Sequence, residues 1–174
     1  YLTSATGATG SNNIHIQNTK FLNGPNSVVY SNAPGEISLK NCVFTNNQVP
    51  VNINHKATSG TLKVTIENCS FINCGKGNSG TEELYSAPIR VVNSQNENPD
   101  AVSVEIIGCS FDNPTSSNGD ILLGEGRNDE PSRGVIATIR DLKTDAVLQV
   151  QNPGERTTTG FTGYKQDLSK GTNY

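Results

Sequence analysis

The stretch VTIENCSF, residues 64–71, alternates like a half-buried β-strand and then changes phase. Val64 and Ile66 carry the apolar positions, but beyond Asn68 these pass to Cys69 and Phe71, so the parity slips by one residue. The slip recurs. IHIQNTKF starts at Ile14, ISLKNCVF at Ile37, VEIIGCSF at Val104 and a weaker copy, ATIRDLKT, at Ala137, at unequal intervals. A unit repeated with insertions in its later part narrows the possible folds more than composition can.

Aligned, the copies form columns. Ile14, Ile37, Val64, Val104 and Ala137 share one apolar column, and Ile16, Leu39, Ile66, Ile106 and Ile139 the next. Asn18, Asn41, Asn68, Gly108 and Asp141 follow, then Thr19, Cys42, Cys69, Cys109 and Leu142, then Phe21, Phe44, Phe71, Phe111 and Thr144. Asn23, Asn46, Asn73 and Asn113 close the unit. Asn, Asp and Gly tolerate positive φ, and one such residue turns the chain sharply, letting residues on both sides of it point inward. The parity slip is therefore a corner between two short strands. Corners stacked one rung per repeat make a coil whose strands pair with the rungs above and below, with the bend residues forming an amide ladder along the axis.

Composition agrees. With 17 Gly, no Met and no Trp, and with Asn, Ser and Thr between short Val/Ile runs, the chain reads as all-β. A net charge of −3 with no basic stripe excludes a nucleic-acid partner. No apolar run approaches ~18 residues, so no transmembrane helix is predicted. The opening at Tyr1, without Met, reads as that of a mature or excised segment.

The I-x-I-x-N-C-x-F-x-N unit resembles the right-handed parallel β-helix (pectin-lyase-like) superfamily, including bacterial surface and adhesin-type repeats. The expected fold is an all-β, right-handed parallel β-helix solenoid of about five rungs. A single domain is predicted over 1–174, with a lead-in at 1–11, rungs at 12–152, and an irregular cap or linker at 153–174 in which Phe161 and Tyr164 cover the last rung. An antiparallel sandwich is the competing architecture; a leucine-rich repeat lacks its L-x-x-L-x-L frame here. The resemblance implies a fold and not an activity.

The cysteines of the shared column would sit about one strand spacing apart, roughly 4.8 Å, with parallel Cβ vectors. That geometry disfavours disulfides and offers no tetrahedral metal site, so the thiols are expected to be small buried hydrophobes. Cys74, beside an Asn corner, is expected to be partly exposed. Asn68-Cys69-Ser70 is a glycosylation sequon, but its Asn is assigned to an inward ladder and no glycan is expected.

Glu67 and Glu105 fall on outward positions of adjacent rungs, within the separation that glycosidase carboxylate pairs span. The competing reading, which we favour, is a solvated face where Lys40 and Glu67 form an exposed ion pair. The metal-binding acidic cluster of pectate lyases is missing, as are the Asn-Thr-Asp, Gly-His-Gly and Arg-Ile-Lys segments of polygalacturonases, so no catalytic role is carried over. A second candidate site lies on the long insertions: Glu82, Glu83 and Tyr85 in rung three and Glu125, Arg127, Asp129 and Glu130 in rung four, with Arg90 on the strand between. Emerging on one flank, they would form a mixed-charge groove suited to sugars. EGRNDE lacks the spacing of a Ca²⁺ loop, and no cofactor is expected.

The expected function is that of a secreted or cell-surface module for binding or adhesion, with a polysaccharide or cell-surface glycan as partner and a place in a longer protein. End-to-end stacking of copies is open, since solenoid ends expose strand edges. A polysaccharide lyase or glycoside hydrolase and a phage-tailspike-like stalk are the alternatives.

Overall fold

The computed structural model describes residues 2–3, 11–76, 86–94, 96, 98–116, 119–124, 135–151, 158–159 and 165–166. They form three sheets in which every pairing is parallel. The six-stranded sheet stacks β2 (Asn12–Gln17), β5 (Gly35–Lys40), β8 (Leu62–Glu67), β11 (Val102–Ile107), β14 (Ile136–Arg140) and β16 (Thr158–Thr159). The four-stranded sheet stacks β3 (Lys20–Leu22), β6 (Val43–Thr45), β9 (Ser70–Ile72) and β12 (Ser110–Asp112). The seven-stranded sheet stacks β1 (Leu2–Thr3), β4 (Val29–Ser31), β7 (Val51–His55), β10 (Ile89–Asn93), β13 (Ile121–Gly124), β15 (Val147–Gln151) and β17 (Lys165–Gln166). The chain visits the sheets in rotation, and consecutive visits lie side by side. This is a parallel β-helix.

The predicted columns are the register. Ile14, Ile37, Val64, Val104 and Ala137 are direct partners, as are Ile16, Leu39, Ile66, Ile106 and Ile139. All of those from Ile37 onward are buried, while Ile14 and Ile16 in the edge strand are only partly covered. Phe21, Phe44, Phe71 and Phe111 stack with centroids 5.1, 5.0 and 5.3 Å apart, an arrangement that adds to simple area burial. At the fifth rung Thr144 takes the Phe position. Its hydroxyl accepts from Phe111 N (2.7 Å) and donates to Phe111 O (3.1 Å), standing in for a strand partner where the four-stranded sheet ends. Beyond Pro153, where the repeat was expected to be lost, β16 and β17 still extend two of the sheets.

The corners have the expected backbone: Asn18, Asn41, Asn68 and Asp141 have φ between 52° and 56°, and Gly108 has 63°. Asn23, Asn46 and Asn73 repeat this at the far end of the four-stranded sheet, with φ of 56°, 54° and 50°. Two expectations need correction. The bend asparagines face solvent, because Ile66 and Cys69 both point inward and leave Glu67 and Asn68 outside. The Asn68 sequon is thus exposed, although its side chain is packed against the next rung, where its Oδ1 occupies the space a Cβ on Gly108 would need. Asn113 leaves the outer ladder altogether and turns inward, accepting from Cys74 N (2.7 Å) and donating to Asp120 (2.8 Å).

All four cysteines are buried free thiols, Cys74 included, contrary to its expected partial exposure. They are also more than hydrophobic filler. Each S–H faces two carbonyls, one two residues back and one in the preceding rung: Lys40 and Ile16 for Cys42, Glu67 and Leu39 for Cys69, Ile107 and Ile66 for Cys109, Ile72 and Phe44 for Cys74. Asn47 does the same with an amide, donating to Thr45 O (3.0 Å) and Phe21 O (2.9 Å) while accepting from Gly24 N (3.0 Å). Thr19 begins the column by donating to Gln17 O (2.9 Å). At these corners the inward position holds a small side chain with a donor, and thiol, hydroxyl and amide all serve, whereas Leu142 fills the position in the fifth rung without one. Burial raises the Cys42 and Cys74 thiols above their ordinary range, and Cys69 is raised first by its bond with Cys109 and then by burial.

Candidate functional site

Glu67 and Glu105 lie on the outer face of the six-stranded sheet, on adjacent strands and two positions apart in register, since Glu105 pairs Thr65 and Glu67 pairs Ile107. Lys40, the register partner of Glu67 in the preceding rung, places Nζ 3.1 Å from its Oε2, and both side chains are substantially exposed. The other Glu67 oxygen lies 3.4 Å from Asn68 Nδ2. One carboxylate of the pair is thereby engaged by a surface cation.

Arg90 sits on β10 with its side chain on the outer side of the seven-stranded sheet, yet it is only 7% exposed. Its register neighbours are Asn52 and Leu122, and Nη1 donates to Asn52 Oδ1 at 2.8 Å. Val92, on the same outer side, and Leu122 are fully buried as well, so this flank is covered rather than open. Glu82, Glu83, Tyr85, Glu125, Arg127, Asp129 and Glu130 lie outside the described residues. Of the proposed groove, only Arg90 is placed.

Two contiguous clefts follow the corner between the four- and seven-stranded sheets. The larger, about 440 Å³, is lined by Lys20, Phe21, Leu22, Gly24, Pro25, Asn26, Ser27, Val28 and Asn47. The smaller, about 260 Å³, is lined by Gly24, Pro25, Asn46, Asn47, Gln48, Asn73 and Lys76. Gly24, Pro25 and Asn47 belong to both, so the clefts join into one furrow running along the coil axis. Asn46 and Asn73 bring the outer amide ladder into its wall: Asn46 Nδ2 donates to Asn23 Oδ1 (3.0 Å), beside the furrow, and Asn73 Nδ2 to Asn46 Oδ1 (2.7 Å), with Thr115 Oγ1 3.4 Å from the Asn73 oxygen. Each ladder amide keeps a second N–H and a second lone pair for another partner. Leu22, 62% exposed, and the partly buried Phe21 add an apolar floor at one end.

The sequence marked Asn46 and Asn73 as corner residues only. The available signal was Asn46-Asn47-Gln48, three amides in a row where a corner needs two. Among the described residues no group of three or more His, Cys, Asp or Glu is placed to hold a metal ion, and no helix is long and apolar enough to cross a membrane. No family model matches the chain, and neither a curated protein nor a solved structure matches it.

Proposed function

We propose that this chain is the binding module of a secreted or cell-surface β-helix protein of the pectin-lyase-like, adhesin type, that its ligand is a carbohydrate, and that the furrow along Asn23, Asn46 and Asn73 receives it. The amide-lined furrow is the observation that carries the reading. Sugars present paired hydroxyls that donate and accept at once, and a side-chain amide offers the complementary pair. Ladder amides recur once per rung over the first three rungs, so an extended glycan lying along the axis there meets the same chemistry repeatedly. The ladder bonds hold the amides in place beforehand, which lowers the ordering cost of binding. The insertion residues remain part of the proposal as a further contact, whereas Arg90, nearly buried and bonded to Asn52, serves the scaffold.

The test is a titration of isotope-labelled protein with a glycan panel, observing side-chain amides. Resonances of Asn46, Gln48 and Asn73 should move with a binding glycan. Asn73→Gly, which keeps the left-handed backbone, should weaken binding roughly fivefold, about one hydrogen bond. A panel that moves none of these resonances would end the reading.

A polysaccharide hydrolase or lyase is the second reading, supported by Glu67 and Glu105 on neighbouring strands. It requires turnover of a glycan such as pectin or alginate that disappears in Glu67→Gln and Glu105→Gln. Binding without turnover leaves the module.

A further inference from the structure

Several buried polar groups in this coil, Asn47, Arg90 and Ser94 among them, meet a strand or corner residue of the neighbouring rung. His55 meets an inserted turn instead. It ends β7, is 0% exposed, and lies opposite Asn93 of β10. After Asn93 the chain folds back over the ring. Ser94 N donates to His55 O (3.1 Å), Asn96 N donates to Asn93 Oδ1 (3.1 Å), and Asn93 Nδ2 donates to Asn96 O (3.0 Å). Asn93 is 0% and Asn96 5% exposed, so the turn is an inserted polar plug between the seven- and six-stranded sheets.

The plug dictates the state of the ring. Asn96 Oδ1 accepts from Asn98 N (3.1 Å), which orients the amide so that Nδ2 donates to Gly60 O (2.9 Å) and faces His55 Nε2 at 3.4 Å. Opposite a donor, Nε2 accepts, and the neutral ring carries its hydrogen on Nδ1. Among the described residues, Nδ1 is buried and has no partner in good hydrogen-bond geometry, although the Ala33 and Gly60 carbonyls lie near the ring.

We propose that His55 is an acid-sensitive latch on the turn that Asn93, Ser94, Asn96 and Asn98 build: neutral, the ring seats Asn96; protonated, it sets an N–H against the Asn96 N–H and releases these residues, while the stacked columns stay closed. Among the described residues, the groups facing the ring are the carbonyls of Ala33 and Gly60 and the amides of Asn93 and Asn96, none of which titrates. The adjoining charged residue in the chain is Lys56, whose sign disfavours a second cation nearby. Burial lowers the His55 pKa from the ordinary 6.5, and the Gly60 and Ala33 carbonyls offset part of that shift. The folded ring thus holds its proton less tightly than the unfolded chain does. The closed state is fully favoured above the ordinary imidazole range and loses ground as pH falls through it toward the lowered folded value.

The experiment is hydrogen exchange on the wild type and on His55→Gln between pH 7.5 and 5, corrected for intrinsic rates. In the wild type, protection of the Ser94, Asn96 and Asn98 amides should fall about tenfold per pH unit once the pH is below the ordinary imidazole value. Protection at Ser70 N, which donates to Cys42 O in the columns, should hold. His55→Gln should remove the pH dependence at the turn. Superimposable profiles for the two proteins, or an equal loss in every rung, would overturn the latch. Should His55→Gln not fold, the wild-type ring can be titrated directly by NMR. Its midpoint should lie below 6.5, with Ser94 protection already falling as the pH drops from 6.5 toward it. A ring that titrates at or above that value, or without effect on Ser94, would refute the proposal.

Discussion

Between the six- and four-stranded sheets the chain turns on two residues in every rung: Asn18-Thr19, Asn41-Cys42, Asn68-Cys69 and Gly108-Cys109. Between the seven- and six-stranded sheets the linking segments 32–34, 56–61 and 94–101 differ in length and in hydrogen bonding, and the last includes a 3₁₀ turn, Pro99–Ala101, capped by Asn98. The first corner satisfies its polar groups by repetition, because the carbonyl one thiol meets belongs to the same station one rung before. An extra residue there would misalign the bonds above and below it. The second corner satisfies its groups within itself, as Asn93 and Asn96 do, so each rung can carry a different solution. Variation concentrates where no column has to be kept, and loops free of that constraint are where a scaffold acquires function.

If repetition is what holds the first corner, damage to a column should cost more than damage to a unique turn. Phe71→Ala is the most severe case. The ring is fully buried between Phe44 and Phe111, and its loss leaves a cavity in the middle of the stack, costing about 3–5 kcal/mol in denaturant unfolding. A loss no larger than that of Asn96→Ala, measured alongside, would make the two corners equivalent.

Asn47→Ala follows at about 1–3 kcal/mol, since it removes one hydrogen bond each from Gly24 N, Phe21 O and Thr45 O, of which Thr45 O keeps Asn23 N. Cys69→Ser should cost less, because a hydroxyl keeps a donor at the station. Equal losses would mean that packing, and not hydrogen bonding, sets the inward corner.

Much of this was legible in the sequence. The change of parity at Asn68 placed the corner, and the Ile and Phe columns predicted the register, because a strand shifted by one residue would put its apolar set outside. The side of the ladder was misjudged, since asparagine is equally common inside and outside a turn and only the inward pair around it, Ile66 and Cys69, decides. Asn113 fits the spacing of the outer ladder, yet its partner Asp120 lies in a later segment that no spacing reveals. His55 was invisible for the same reason: it belongs to no column, and its plug comes from the next rung. The candidate site fared worst. Arg90 reads as an exposed guanidinium and is nearly buried, while the furrow consists of residues already assigned to holding the coil.

Asn41 separates backbone from side chain at the repeated corner. Its φ of 53° is in the left-handed region, and its amide donates to Asn18 Oδ1 at 3.2 Å on the solvent side. Asn41→Ala should lose about 1–2 kcal/mol to backbone strain alone. Asn41→Gly removes that strain and forfeits only the exposed ladder bond, so it should recover most of the loss.

The smallest expected effect bears on the outer face rather than the corner. Lys40 and Glu67 are register partners, and their 3.1 Å pair spans two rungs in the same way the thiols do. Repetition inside the coil works because water is excluded. The ion pair, with side chains 47% and 35% exposed, competes with water and salt at both ends. Lys40→Gln should therefore change stability by less than about 0.5 kcal/mol, and added salt should shrink even that. A loss comparable to Asn47→Ala would show that stacking strengthens surface pairs as it does buried ones. It would also tie Glu67 into the scaffold, leaving Glu105 without the freely available neighbouring carboxylate that a hydrolytic site on this face needs.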